Sequence, residues 1–289
     1  MSIRFSKVFG WLNLSALIVV ISAGALSVSG QQIISENQAG SDQTAGSSSL
    51  KSGKIAKSEA QTTRSDYNWT GFYIGGHAGY GWGNGDTSFN PLPSATAFVN
   101  LQPTTLKVRP KGAIGGIQGG YNWQSGHLVI GAEGDFSWSN MKKTTTVTPI
   151  VQNNGTPFPG AGFITASQKT KWMGTLRPRV GAAYGRVLVY GTAGLAYGRV
   201  QNTANTDFRP TGTTQYPASL SKTKAGWIAG GGVEIGINNH ISIKSEYLYY
   251  DLGKNSTVVS ATPALPPFQV GYEWNAKGST WKTGINFRF

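Results

Sequence analysis

The sequence predicts an all-β fold: an eight-stranded antiparallel up-and-down transmembrane β-barrel with a disordered N-terminal leader. Three observations carry this expectation. Runs of about 10–14 residues alternate in polarity with period two, as strands do when one face meets lipid. The connections between those runs alternate long and short. Aromatic side chains gather toward both ends of the outward-facing parity, where amphipathic rings prefer the headgroup level.

Residues 1–30 read as a secretory signal peptide. Arg4 and Lys7 form a basic start, Leu17 to Ile21 is the centre of an apolar stretch, and small residues follow through Ala25, Ser27, Ser29 and Gly30. A membrane-anchoring helix is the rival reading. It needs about 20 apolar residues, and Asn13, Ser15 and Ser22 interrupt this stretch. Residues 31–66 are Ser, Gln, Thr, Gly, Ala and Lys with almost no large apolar side chains, so they cannot offset their own chain entropy. They are expected to form a flexible periplasmic leader. Residues 67–289 are left for the barrel.

Eight alternating runs follow, at 71–82, 112–123, 127–139, 169–183, 187–199, 222–237, 241–252 and 277–289. The segments 83–111, 140–168, 200–221 and 253–276 are long, polar connections, whereas 124–126, 184–186 and 238–240 are minimal turns. All the long connections then lie on one side and both termini on the other, as in outer-membrane barrels with short periplasmic turns and long external loops.

Charge decides which face meets lipid. One parity of 127–139 carries Leu128, Ile130, Phe136 and Trp138, and the other carries Glu133 and Asp135. In 169–183 one parity carries Trp172, Leu176 and Val180, and the other Lys169, Lys171, Arg177 and Arg179. Ionised groups in hydrocarbon cost kilocalories each, so the charged parity belongs to the lumen. There Glu133, Asp135, Arg177 and Arg179 come to one height, and Glu234 and Lys244 face each other across a turn with Glu246 and Lys282 nearby. Such a network is either an ion pathway or a set of pairs filling a narrow interior. Eight strands leave room only for side chains, which favours the second. Trp82, Trp138, Trp172, Tyr197, Trp227, Tyr249 and Trp281 lie toward the long-loop ends with outward parity, and Phe72, Tyr121, Trp123, Phe287 and Phe289 mark the opposite edge.

The chain carries a formal net charge of +13. The excess sits on the long connections and the rim: Lys107, Arg109, Lys111, Lys142, Lys143, Lys169, Lys171, Arg199, Arg209, Lys222, Lys224, Lys254 and Lys277, opposed by Asp86, Asp207, Asp251 and Glu273. Anionic partners fit such a rim. Lipopolysaccharide phosphate is the nearest, because Lys and Arg give charge-assisted bonds to phosphate. A merely solvated basic surface is the alternative. Nucleic acid is suggested by charge alone, without a recognition motif, and an export signal argues against it.

Catalysis is not expected. The three histidines are His77, His127 and His240, two of them at short turns and one at mid-barrel, so the external rim has no His for a Ser/His/Asp arrangement. No cluster of His and carboxylates has metal-ligand spacing, and the absence of Cys removes thiolate sites.

The segments Asn68-Trp69-Thr70-Gly71-Phe72-Tyr73-Ile74-Gly75-Gly76, Gly119-Gly120-Tyr121-Asn122-Trp123-Gln124 and Glu246-Tyr247-Leu248-Tyr249-Tyr250-Asp251-Leu252-Gly253, with the terminal Phe289, resemble the small porin-like surface-antigen family of alphaproteobacterial outer membranes. The resemblance covers 67–289 and leaves out the leader and the particular first long connection. It implies that Trp281, Ile285, Phe287 and Phe289 form an address read by the barrel-assembly machinery. It also implies a structural or antigenic role facing a host surface, with hemin binding or a small porin-like channel as alternatives. The long connections lack His, so external hemin ligands would have to be Tyr216 or Met141, both of residue types that can ligate haem iron.

Overall fold

The structure, a computed structural model, describes residues 67–91, 101–152, 154–157, 162–207, 215–262 and 269–289. The signal peptide, the leader and Arg209 lie outside the described residues. The strands in chain order are β1 (Gly71–Gly83), β2 (Asp86–Pro91), β3 (Leu101–Gln102), β4 (Thr105–Lys107), β5 (Lys111–Ser125), β6 (Leu128–Ser139), β7 (Lys142–Val147), β8 (Val151–Gln152), β9 (Phe163–Tyr184), β10 (Val187–Asp207), β11 (Ala218–Gly236), β12 (Ile241–Ser260) and β13 (Gln269–Arg288). Eight of them form an antiparallel ring, β1-β5-β6-β9-β10-β11-β12-β13, which β13 closes onto β1. The closure runs from Tyr73 opposite Arg288 to Gly83 opposite Gly278, so neither strand leaves an edge in lipid. The short turns are tight enough that Gly126 and Gly185 take φ values of 58° and 59°, a conformation that suits glycine.

The outer wall of the ring is apolar. Phe72, Ile74, Ile117, Ile130, Leu176, Val180, Leu195, Ile235, Ile243 and Ile285 are all exposed on it. The interior carries the buried polar residues. That arrangement is the reverse of a soluble barrel and follows from hydrocarbon as the outer solvent.

Four connections depart from the expected loops. Strands β9 to β13 run well past the expected ends, into 140–168, 200–221 and 253–276, and the first long connection contains β2 and β4. Above the ring they make two facing sheets, β4-β2-β13-β12 and β7-β9-β10-β11. Between these sheets lies an apolar core of Phe89, Leu106, Val108, Ile150, Ile164, Ala166, Ala204, Tyr216, Ala218, Ala261, Val270, Tyr272 and Trp274. Tyr272 ties the two sheets together, donating to the Tyr216 carbonyl at 2.9 Å and lying 2.7 Å from the Thr206 hydroxyl.

Polarity inverts where the outer solvent changes from lipid to water. On β10 the outward residues are Leu195 and Tyr197 below, then Arg199, Gln201 and Thr203 above; the inward ones become Val200 and Ala204. On β9 a bulge performs the inversion. Trp172 and Thr170 pair with consecutive β10 residues, leaving Lys171 as the extra residue. Below it Met173, Thr175, Arg177 and Arg179 point inward; above it Thr170, Gln168, Ala166 and Ile164 do. The sequence parity had put Lys169 on the lumenal face with Arg177. The bulge turns it to the outside instead, because an extra residue flips every side chain beyond it. A second bulge on β12, with Gly253 at φ 76°, lies at the same transition.

Candidate functional site

The lumen is filled in layers. At the short-turn mouth of the ring Tyr67 and Trp69 fold inward against Val129, Ala183, Leu188 and Tyr190. Trp69 is fully buried; its backbone N–H donates to Gln124 Oε1 at 2.7 Å and its indole N–H to the Gly185 carbonyl at 3.2 Å. The Arg288 guanidinium lies over both rings, 4.7 Å from Tyr67 and 5.2 Å from Trp69.

Above this lid is the ionic layer. Strand alternation on β6 and β9 stacks Glu133 and Asp135 beside Arg177 and Arg179, with Glu133 opposite Arg177 in register. Glu133 meets Arg177 at 2.7 Å, Lys244 at 2.7 Å and the Tyr73 hydroxyl at 2.8 Å. Asp135 meets Lys282 at 2.7 Å and Arg177 at 3.0 Å. Arg179 holds Glu234 at 2.7 Å, and Arg177 reaches Glu246 at 3.3 Å. Four carboxylates (Glu133, Asp135, Glu234, Glu246) thus balance four cations (Arg177, Arg179, Lys244, Lys282), each at most 6% exposed. Glu234 and Lys244 are register neighbours, as the turn requires, yet Lys244 reaches across the interior to Glu133 while Glu234 is held by Arg179. The narrow bore makes the opposite wall as close as the next strand.

Three of these carboxylates, Glu133, Asp135 and Glu246, have oxygens within 4.8 Å of one another, a spacing a metal ion could use. Arg177 contacts all three, and Lys244 and Lys282 add further bonds, so the chain supplies its own cations there. Above lies an apolar layer including Ile114, Met141, Met173, Ile228, Leu248 and Tyr250, and then the external core already described.

Outside, the aromatic girdle stands just below the basic rim. Trp138 and Trp172 are register partners, and Trp82 pairs with Lys111. Lys107, Arg109, Lys111, Lys142, Lys143 and Lys171 are exposed, and Lys169 is partly so. Lys222 and Lys224 share a strand parity with Ala218 and Ile228, which are buried. They are left open because β12 stops pairing with β11 above Trp227–Asp251.

A family model described as the outer membrane protein beta-barrel domain matches residues 53–289. The chain belongs to that family. Alphaproteobacterial relatives match most of this barrel. The 31 kDa outer-membrane immunogenic protein of Brucella melitensis is 38% identical over 226 residues, 77% of this chain and 85% of that protein. The 22 kDa outer membrane protein of Rhizobium leguminosarum is 30% identical over 77% of this chain and 79% of its own length. Among solved structures, the outer membrane protein OprG from Pseudomonas aeruginosa aligns with a TM-score of 0.45 at 12% identity, covering 78% of this chain and 98% of that one.

As a member of this family the protein is integral to the outer membrane. Its long connections lie on one side of the ring and both described ends of the barrel on the other, the layout in which such barrels turn long loops outward and short turns to the periplasm. Trp281, Ile285, Phe287 and Phe289 stand on the lipid-facing wall at 43 to 76% exposure. Two sequence-predicted residues are placed otherwise. Tyr216 and Met141 are 1% and 2% exposed, the first in the external core and the second in the apolar layer of the barrel. Neither stands on an open loop, because the segments that carry them fold onto apolar interiors. All three histidines lie below the external surface: His77 bonds Ser137 in the lumen at 2.8 Å, and His127 and His240 are at periplasmic turns. The residues that sequence reasoning missed are the lid, Tyr67 and Trp69, and the external core. Alternation of apolar residues with reversed polarity was the available signal for the core.

Proposed function

We propose that this protein is a sealed, non-catalytic surface barrel that strengthens the outer membrane by holding lipopolysaccharide phosphates at its basic external rim, while presenting its folded loops as antigen. One observation carries the reading. Lys111, Lys142 and Lys169 stand in register beside Trp82, and with Lys171 they lie just above the Trp138–Trp172 pair, the level at which outer-leaflet phosphates meet a barrel wall. Ammonium and guanidinium groups form charge-assisted bonds with such phosphates. The antigenic part rests on the name of the Brucella relative. The layered packing of the lumen supports a structural rather than a conducting role, and the absence of a rim histidine supports a non-catalytic one.

The test is the amount of lipopolysaccharide retained per barrel on extraction from outer membranes. Replacing Lys107, Arg109, Lys111, Lys169 and Lys171 by Gln is expected to lower it several-fold; unchanged retention would refute the reading. Hemin is the competing occupant. A Soret shift on titrating the refolded barrel, abolished by Tyr216→Phe or Met141→Leu, would favour it instead.

A further inference from the structure

We infer that the rim binds through one localised clamp on the outer wall of β1, β5, β7 and β9, built for a phosphorylated glycolipid of the outer leaflet. The inference rests on the lipopolysaccharide reading and narrows it to named residues. Lys111 pairs with Lys142, and Lys142 pairs with Lys169, so three lysines stand side by side on adjacent strands. The flanking register partners are Trp82 and Gln201, so the row contains no carboxylate. Like charges directly opposite on a sheet repel, and neighbouring strands are only about 4.8 Å apart. Elsewhere in the described rim, Lys254 is relieved by Glu273 at 2.9 Å. An anion seated on the row would turn its repulsion into attraction.

Geometry on either side of the row names the anion. At its β1–β5 end an open cleft of about 370 Å³ is lined by Tyr80, Trp82, Arg109 and Lys111, among others. Its aromatic floor continues the lipid-facing wall, where Tyr80 is 48% exposed, and its cationic roof faces the headgroup layer. A soluble anion has no use for that floor, whereas a lipid does. Above Lys142 and Lys169 the same outer parity carries a ladder of hydroxyls: Thr144 donates to Ser167 at 3.0 Å, and Thr146 lies 2.9 Å from Thr165. Phosphate-binding cations with an apolar floor below and sugar-type hydrogen-bonding partners above match a glycolipid whose saccharide extends outward. A phospholipid would leave the hydroxyl ladder unused.

The test uses the full barrel, refolded and placed in nanodiscs, with lipopolysaccharide binding measured for three variants. K111Q/K142Q/K169Q removes the row. K222Q/K224Q/K254Q removes the same charge from β11 and β12. K111R/K142R/K169R keeps the charge and the donors. The row variant is expected to bind about tenfold more weakly, a loss of about 1.4 kcal/mol, with the other two within twofold of the parent. Removing the phosphates from the glycolipid should abolish the difference, and inorganic pyrophosphate should not compete. Equal losses in the row and control variants would mean diffuse attraction and overturn the clamp while leaving the broader reading standing. Competition by pyrophosphate would overturn the lipid assignment. Parent protein that does not prefer lipopolysaccharide over neutral phospholipid would remove the broader reading itself.

Discussion

Lys244 Nζ on β12 lies 2.7 Å from Glu133 Oε1 on β6, a bond that crosses the lumen instead of running along the wall. Both groups are buried, and Glu133 also binds Arg177 and Arg179. Removing one partner of a buried pair typically costs about 3–5 kcal/mol, because the other charge is stranded, whereas removing both can be nearly neutral. Glu133→Gln leaves the cluster with one excess positive charge. It is therefore expected to destabilise the refolded barrel by about that amount in denaturant titrations. Glu133→Gln with Lys244→Met restores neutrality and should lose less than the single variant. A double variant at least as unstable as the single one would show that the bonds, not the charge balance, are what matters.

Trp274 is fully buried between the two external sheets. Truncating a buried Trp to Ala costs about 3–5 kcal/mol, but here the loss falls on the part of the fold outside the membrane. Trp274→Ala is therefore expected to loosen the external sheets enough for trypsin to cut on intact cells after Lys107 and Lys143, whose side chains are already exposed. The heat-modifiable mobility of the barrel should be unchanged, since the apolar layer around Met141 and Leu248 lies between that core and the ionic layer of the ring. Loss of both together would show that the external sheets and the ring fold as one cooperative unit.

The ring was legible in the sequence because lipid enforces a simple rule on it: Leu176 and Val180 out, Arg177 and Arg179 in. The external sheets were not, because water reverses the rule at a height the residues do not announce. Ile164, Ala166, Val270, Tyr272 and Trp274 alternate as regularly as Phe136 and Trp138 do, but as core residues flanked by Thr, Ser, Gln, Glu and Asn they read as polar loop. The bulge at Lys171 hid the change further, since apolar residues keep even numbers on both sides of it, Trp172, Leu176 and Val180 on the outer wall and Ile164 and Ala166 in the interior. The charged lumen residues could be named from parity, and so could the pairing of Glu133 and Asp135 with Arg177 on the next strand. The partners across the lumen, Lys244 for Glu133 and Lys282 for Asp135, could not, because pairing across a narrow bore depends on strand stagger around the whole ring.

The lumen is blocked at several levels, from the Tyr67–Trp69 lid through the ionic layer to the apolar layer around Met141. Planar-bilayer recordings of the protein are expected to show no unitary conductance steps. Trp69→Ala should remain silent too, because the lid is one barrier among three. Steps in the parent protein would mean that the layers part on a timescale the packing does not suggest. Steps appearing only with Trp69→Ala would assign the seal to the lid alone.

Phe289 ends the chain with 76% of its surface exposed, and its backbone N–H donates to the Phe72 carbonyl at 3.0 Å. The side chain contributes little packing inside the protein, so Phe289→Ser, which keeps that backbone bond, should leave refolding into detergent unchanged. If the outward row Trp281, Ile285, Phe287 and Phe289 is read by the assembly machinery before the barrel closes, the same substitution should lower the amount of heat-modifiable barrel in cells several-fold. The two measurements separate recognition from stability. A parallel fall in both would make Phe289 a structural residue after all, and unchanged levels in cells would remove the terminal ring from the assembly address.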